Sequence, residues 1–195
     1  EFTLMTIFYN NKFSFLEPII HIQENGDYLI SYQPLKLDKI VLEKAQLYCK
    51  TIVNKLCSST DKGIFGFEFF VKDNIIYFNE VAPRPHDTAM VTLSSQLYSQ
   101  FSIYSRIICN QPLPDMKVYF PSASHAIIMD IKTDTPSFNI NTISHILENI
   151  NLNIRIFGKN NVKKRRRMGI LLLKNNSYEN SIILLKKFFL FLKNE

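Results

Sequence analysis

The sequence predicts an α/β chain of the α+β kind: a mainly antiparallel sheet with flanking helices, then a small C-terminal α/β domain. Three observations predict it. Short apolar runs come in pairs around turn signals, as antiparallel hairpins require. Two longer segments place apolar residues at 3-4 spacing, the period of a helix. Gln111-Pro112-Leu113-Pro114-Asp115 then interrupts the pattern, dividing the chain into 1–112 and 113–195.

Residues 4–33 read as extended. Phe13–Gln23 and Tyr28–Gln33 flank the turn Glu24-Asn25-Gly26-Asp27, and Pro34, which cannot donate to a ladder, ends the second strand. Asp38 offers an N-cap for a helix to about Ser58, with Val41, Ala45, Tyr48, Cys49, Ile52 and Leu56 inward. Strands follow at 64–72 and 75–82, joined at Asp73-Asn74. Thr88–Asn110 reads as one helix with Met90, Leu93, Leu97, Phe101, Tyr104 and Ile108 inward. Beyond the break the expected order is strand 117–132, helix 141–149, strand 152–157, a basic loop, strand 168–174 and a helix over 177–193 capped by Ser177.

With 195 residues, 46% hydrophobic and 21% charged, the chain can bury a core. No apolar run reaches the roughly 20 residues of a membrane span, so no membrane partner is expected, and the start lacks the form of a signal peptide. Residue 1 is Glu, so a longer protein is expected. The three cysteines, Cys49, Cys57 and Cys109, show no CxxC spacing and read as buried thiols in a reducing cytosol. The net charge of +6 resides wholly in Lys159, Lys163, Lys164, Arg165, Arg166 and Arg167; without them basic residues equal the 17 acidic ones. That pattern describes a local anion site or a basic tail, so a nucleic-acid partner is not expected. No phosphate-loop, dinucleotide or nucleophile-elbow motif occurs, and His21, His86, His125 and His145 lack zinc spacing.

Chemistry concentrates in Gly66-Phe67-Glu68-Phe69-Phe70-Val71 and Asn79-Glu80-Val81-Ala82-Pro83-Arg84-Pro85-His86-Asp87-Thr88. Glu68 and Glu80 lie on consecutive strands, and paired carboxylates suit a hard cation such as Mg²⁺. Facing each other requires a three-residue turn or a bulge, because a two-residue loop opposes Glu68 to Asn79. Two solvent-facing strand residues are the alternative. The Pro-rich turn stiffens the loop that presents Arg84, His86 and Asp87; Asp87 or Thr88 also reads as a simple helix cap. Lys159 and Lys163–Arg167 suit a phosphate, or a solvated loop.

Together these segments resemble the ATP-grasp superfamily, and within it the formate-dependent phosphoribosylglycinamide formyltransferases of purine biosynthesis. Carboxyaminoimidazole ribonucleotide synthases share Glu80-Val81-Ala82-Pro83-Arg84-Pro85-His86 but continue differently from Asp87-Thr88-Ala89-Met90. Glu24–Tyr28, Gln33-Pro34, Arg155–Lys159 and Arg166–Gly169 extend the likeness to the formyltransferases over the C-terminal half of such an enzyme. The resemblance implies the C-terminal lobe of an ATP-grasp domain, with Glu68 and Glu80 as Mg²⁺ ligands. It implies that Asp87 contacts glycinamide ribonucleotide, that Lys159, Arg166 and Arg167 grip its phosphate, and that Arg84 and His86 support the site. ATP, formate and glycinamide ribonucleotide would be the substrates of a cytoplasmic enzyme, homodimeric at full length. The family has glycine where this chain has Ala89, and these 195 residues alone are expected not to turn over. A carboxyaminoimidazole ribonucleotide synthase-like ligase and a non-catalytic basic anion- or RNA-binding remnant are the alternatives.

Overall fold

The computed structural model describes residues 1–129, 144, 148, 151–161 and 165–193. Nine strands form one sheet: β1 (Phe2–Tyr9), β2 (Lys12–Phe15), β3 (Ile19–Glu24), β4 (Asp27–Gln33), β5 (Gly63–Lys72), β6 (Ile75–Ala82), β7 (Ser122–Met129), β8 (Leu152–Ile156) and β9 (Arg166–Lys174). Their order is β6-β5-β1-β3-β4-β7-β9-β8, with β2 beside β1, and every pairing is antiparallel. The helices are α1 (Lys39–Leu56), α2 (Thr92–Ser95), α3 (Gln100–Ile108) and α4 (Tyr178–Lys193), with a 3-10 turn at Asp87–Val91. The break at 111–115 falls between α3 and β7, and the sheet runs across it through β4 and β7.

Strand β1 is buried along its whole length because helices cover both faces. Phe2, Leu4 and Phe8 pack with Ala45, Cys49 and Val53 of α1 and with Phe65, Phe67 and Phe69 of β5. The alternate residues Met5, Ile7 and Tyr9 meet Ala89 and Val91 of the 3-10 turn and Ile103 and Ile107 of α3. A third cluster joins Ala123, Ile127, Leu171 and Leu173 to Leu185 of α4. Asp38 caps α1 by accepting from the Ile40 amide at 2.8 Å, and the Ser177 hydroxyl accepts from the Asn180 amide at 3.2 Å.

The expected single helix over 88–110 is instead a 3-10 turn, a four-residue α2 and a separate α3. Ser94, Ser95 and Ser99 lie at the interruption, and such hydroxyls compete with a helix for backbone partners. Ser95 donates to Gln33 Oε1 at 2.5 Å, and its carbonyl accepts from the Tyr119 and Phe120 amides. Ser99 starts α3 afresh by accepting from the Ser102 amide. The buried face is therefore Ile103 and Ile107, whereas Leu97 and Ile108 are exposed. On α1 the buried line is Val41, Ala45, Cys49 and Val53, leaving Tyr48 and Leu56 outside. The expected strand 13–23 splits at Leu16–Pro18, where Pro18 has no amide hydrogen to give. The strand expected from 117 begins at Ser122, after Pro121. Of the three thiols, Cys49 is buried, Cys57 half-buried and Cys109 exposed, so the expectation of buried thiols holds only for Cys49. Residues 130–132, His145, Lys163 and Lys164 lie outside the described residues, as does the helix expected over 141–149 apart from Ser144 and Glu148.

Candidate functional site

The β5–β6 hairpin turns at Asp73 and Asn74, both at positive φ (51° and 59°), a two-residue turn that suits these residue types. Its register runs regularly to Phe69 opposite Phe78 and then shifts: Glu68 opposes Glu80, with Asn79 as the extra residue of a β-bulge. The two carboxylates thus face each other. Glu68 is 4% exposed, while the Glu80 side chain is largely solvated. Burial first, and the neighbouring Glu80 second, push the Glu68 carboxyl up to about 7. Asn79 Nδ2 donates to Glu68 Oε2 at 3.5 Å.

His86 is seated tightly behind this pair. The Gln100 side chain accepts from its amide at 2.8 Å and donates to its carbonyl at 2.7 Å. Gly66 lies beneath it, where a Cβ would come within 2.7 Å of His86 Cβ and Cγ. Its Nε2 is 3.4 Å from Glu80 Oε1 and its Nδ1 is 3.6 Å from Glu68 Oε1. His21 approaches Glu68 Oε1 from another side, with Nε2 at 3.9 Å. Burial lowers both imidazoles below their ordinary value, against the pull of the carboxylates beside them.

A second set lies across a cavity of about 250 Å³ whose walls include Glu68, Glu80, Arg84, Asp87, Tyr28 and Arg167. Arg167 pairs with Asp87 at 2.5 Å. Lys159 donates to the Arg167 carbonyl at 2.6 Å, and burial with the two nearby guanidiniums lowers its ammonium. Arg166 turns back to its own loop and donates to the Asn161 carbonyl at 2.9 Å. Arg166 and Arg167 lie on β9, two residues earlier than the strand expected from 168. Arg165 reaches the β3–β4 turn, with Nε donating to Asp27 Oδ2 at 2.8 Å.

The structure therefore gathers Glu68, Glu80, Arg84, His86, Asp87 and Arg167 about one cavity, while Lys159 holds the Arg167 carbonyl and Arg166 turns to Asn161, neither of them among its walls. The sequence assigns Thr3, His21 and Tyr28 no place in the site, and reads Thr88 only as a helix cap. Alternating polar residues in apolar β1 and β3 were the available signal. The buried Glu68 carboxylate, the exposed Glu80 carboxylate and His86 offer ligand atoms within 4.8 Å of one another, which suits a divalent cation, and a positive ion there would offset the burial and the Glu80 charge that raise Glu68.

The family model for the ATP-grasp domain matches residues 1–101, and that described as "PurT, C-terminal" matches residues 122–183. The chain is 43% identical over 162 residues to the formate-dependent phosphoribosylglycinamide formyltransferase of Mannheimia succiniciproducens, covering 83% of this chain and 40% of that protein. The Francisella tularensis subsp. novicida enzyme of the same name also matches at 43%, with 83% and 41% covered. The chain thus spans about 40% of the length of the curated relatives it matches. Among solved structures, a phosphoribosylaminoimidazole carboxylase ATPase subunit from Aquifex aeolicus aligns with TM-score 0.81 at 26% identity, covering 98% of this chain and 55% of that one. N5-carboxyaminoimidazole ribonucleotide synthetase from Thermotoga maritima aligns at 0.81 and 21%, covering 98% and 51%, a likeness of fold alone.

Proposed function

Because the chain belongs to the ATP-grasp family, whose model matches it over residues 1–101, we propose that it is the C-terminal portion of a formate-dependent phosphoribosylglycinamide formyltransferase. The observation that carries this reading is the bulged pairing of Glu68 with Glu80 beside the Asp87–Arg167 pair. Identity of 43% to the formyltransferases, with their C-terminal model over residues 122–183, supports the substrate class. The family uses ATP.

In the proposed reaction the ATP γ-phosphoryl group passes to formate, giving formyl phosphate and ADP. The amine of glycinamide ribonucleotide then attacks the formyl carbon, releasing phosphate and leaving the formylated amide. Mg²⁺ held by Glu68 and Glu80 would supply charge neutralisation at the transferring phosphoryl group. Asp87 orients the substrate, while Arg167, backed by Lys159 and Arg166, takes its phosphate. Arg84 and His86 hold the loop that joins the two halves of the site. No described helix is long and apolar enough to cross a membrane. A cytoplasmic location and a homodimer at full length follow from the same reading and are checked by fractionation and by mass in solution.

The decisive experiment is ADP release by the full-length protein that carries this chain. Release that needs both formate and glycinamide ribonucleotide, and that Glu80→Gln abolishes, is expected. Release that needs bicarbonate and aminoimidazole ribonucleotide instead would overturn the proposal. The isolated chain is expected to release no ADP.

A further inference from the structure

A second group of ligand atoms lies on the side of Glu68 away from Glu80. Glu1, His21 and Glu68 each offer one, and the three atoms lie within 4.8 Å of one another. His21 Nε2 is 3.2 Å from Glu1 Oε1 and 3.9 Å from Glu68 Oε1. The sheet builds this convergence. Strands β5, β1 and β3 are neighbours, with Thr3 opposite Glu68 and Phe2 opposite Ile20. Continued by one residue, that register sets Glu1 across from His21, whose amide donates to the Glu1 carbonyl at 3.3 Å. Side chains alternate along a strand, so Glu1 shares the face of Thr3 and hence of Glu68. Glu80, Glu68, Glu1 and His21 thus form a row across four adjacent strands.

His21 is 3% exposed, and its Nε2 is buried with no hydrogen-bond partner among the described residues. The Glu1 contact is short enough for a hydrogen bond but lacks the geometry of one. An unpaired buried polar atom is rare, and this one is aimed between two carboxylates. Among the described residues no lysine or arginine pairs with Glu1 or Glu68. Two acidic side chains brought together out of solvent are costly unless a positive group joins them. The surroundings are those of a held ligand set. Thr3 Oγ1 lies 3.1 Å from His21 Nδ1, and Gln23 Nε2 donates to Glu1 Oε1 at 3.2 Å. Outer contacts of this kind orient metal-bound imidazoles and carboxylates. Ligand atoms about 2.0–2.2 Å from one ion stand roughly 3–3.6 Å apart, so small side-chain shifts close the set.

We propose that Glu1, His21 and Glu68 form a second cation site, distinct from the Glu68–Glu80 pair, which takes a divalent transition metal such as Mn²⁺ or Zn²⁺. An imidazole in the ligand set favours such metals over Mg²⁺, which prefers oxygen alone. Three protein ligands leave at least one position open to water or to a substrate oxygen. Glu68 belongs to both sets and would bridge the two ions, as carboxylates do in two-metal sites. The second site stands on Glu1 and His21 and does not depend on the role proposed for Glu80.

A Mn²⁺ titration of the chain, followed by electron paramagnetic resonance and its pulsed form for nitrogen coupling, tests the site. The parent should take up two Mn²⁺, and Glu1→Gln and His21→Gln should each lose one. Glu80→Gln should keep one, with an imidazole nitrogen coupling that adding His21→Gln removes. A parent that takes up no Mn²⁺, or only Mn²⁺ without nitrogen coupling, overturns the second site, whether or not any variant folds. Uptake left unchanged by both Glu1→Gln and His21→Gln overturns it as well, as does a single Mn²⁺ lost in Glu80→Gln and kept in Glu1→Gln. The converse, a Mn²⁺ lost in Glu1→Gln with uptake indifferent to Glu80→Gln, sustains the second site and overturns the metal role of Glu80.

Discussion

Gly66 tests how rigidly the site is built. A Cβ there would lie 2.7 Å from both Cβ and Cγ of His86 and 3.0 Å from its Cδ2. His86 has little room to yield: Gln100 holds its amide and carbonyl at 2.8 and 2.7 Å, and Thr88 holds its ring at 2.9 Å. Overpacking of a fixed core costs roughly 1–3 kcal/mol, so Gly66→Ala should destabilise by about 2 kcal/mol. For a chain of this size that lowers Tm by roughly 4–8 °C. Urea unfolding followed by circular dichroism gives the free energy. Repeating it in a His86→Gly background removes all three close contacts. Gly66→Ala should then cost less than half as much, which makes the two positions strongly non-additive. Costs that add within about 0.5 kcal/mol would show that the clash is relieved elsewhere, refuting the rigid seat.

Burial holds Glu68 at about 7, above its ordinary 4.5, so the folded state binds the extra proton. Its contribution is complete below about 4.5 and is lost as pH rises through 7, by up to about 3 kcal/mol. His21 and His86, both lowered, act oppositely and lose their contribution as pH falls below about 6.5. Denaturant midpoints of the parent and Glu68→Gln should therefore diverge between pH 5 and 8, the parent falling behind; parallel profiles contradict the assignment. Arg167→Ala removes a half-exposed pair with Asp87 and should cost less than about 1 kcal/mol of stability. It should weaken glycinamide ribonucleotide binding by the full-length protein roughly 10–100-fold by calorimetry, as loss of a charged hydrogen bond predicts; unchanged affinity would remove Arg167 from the phosphate site. Arg165→Ala cuts the tie to Asp27 and the Glu24 carbonyl, and amide exchange should quicken at the β3–β4 turn with Tm almost unmoved. Exchange that stays as slow as in the parent would show that the turn holds without Arg165.

Hairpins, the α1 cap and the acidic pair were legible because each rests on local chemistry: a turn dipeptide, a capping carboxylate, a strand period. The helix over 88–110 was not, because its interruption depends on partners far away in sequence. Ser95 is held by Gln33 and by the amides of Tyr119 and Phe120, none of which a local period contains. The same holds for the site. Glu68, Glu80 and Asp87 announce themselves as charges in apolar or turn contexts. Thr3 and His21 do not, since a Thr in a strand and a lone His carry no sign of what they will face.

The bulge at Asn79 shows how local and distant demands are reconciled. Asp73 and Asn74 readily adopt left-handed φ, so a two-residue turn is the favoured closure of this hairpin. Uninterrupted, that closure would oppose Glu68 to Asn79 and send Glu80 to the other face, toward the cluster of Phe67, Phe69 and Phe78. A carboxylate there would be buried without a partner. One extra residue on β6 restores the parity, so Phe78 keeps its contact with Phe69 while Glu80 meets Glu68. A three-residue turn satisfies the same parity, so spacing alone leaves the two solutions equal. What separates them is the φ preference of two turn residues, at the far end of the hairpin from the carboxylates they align.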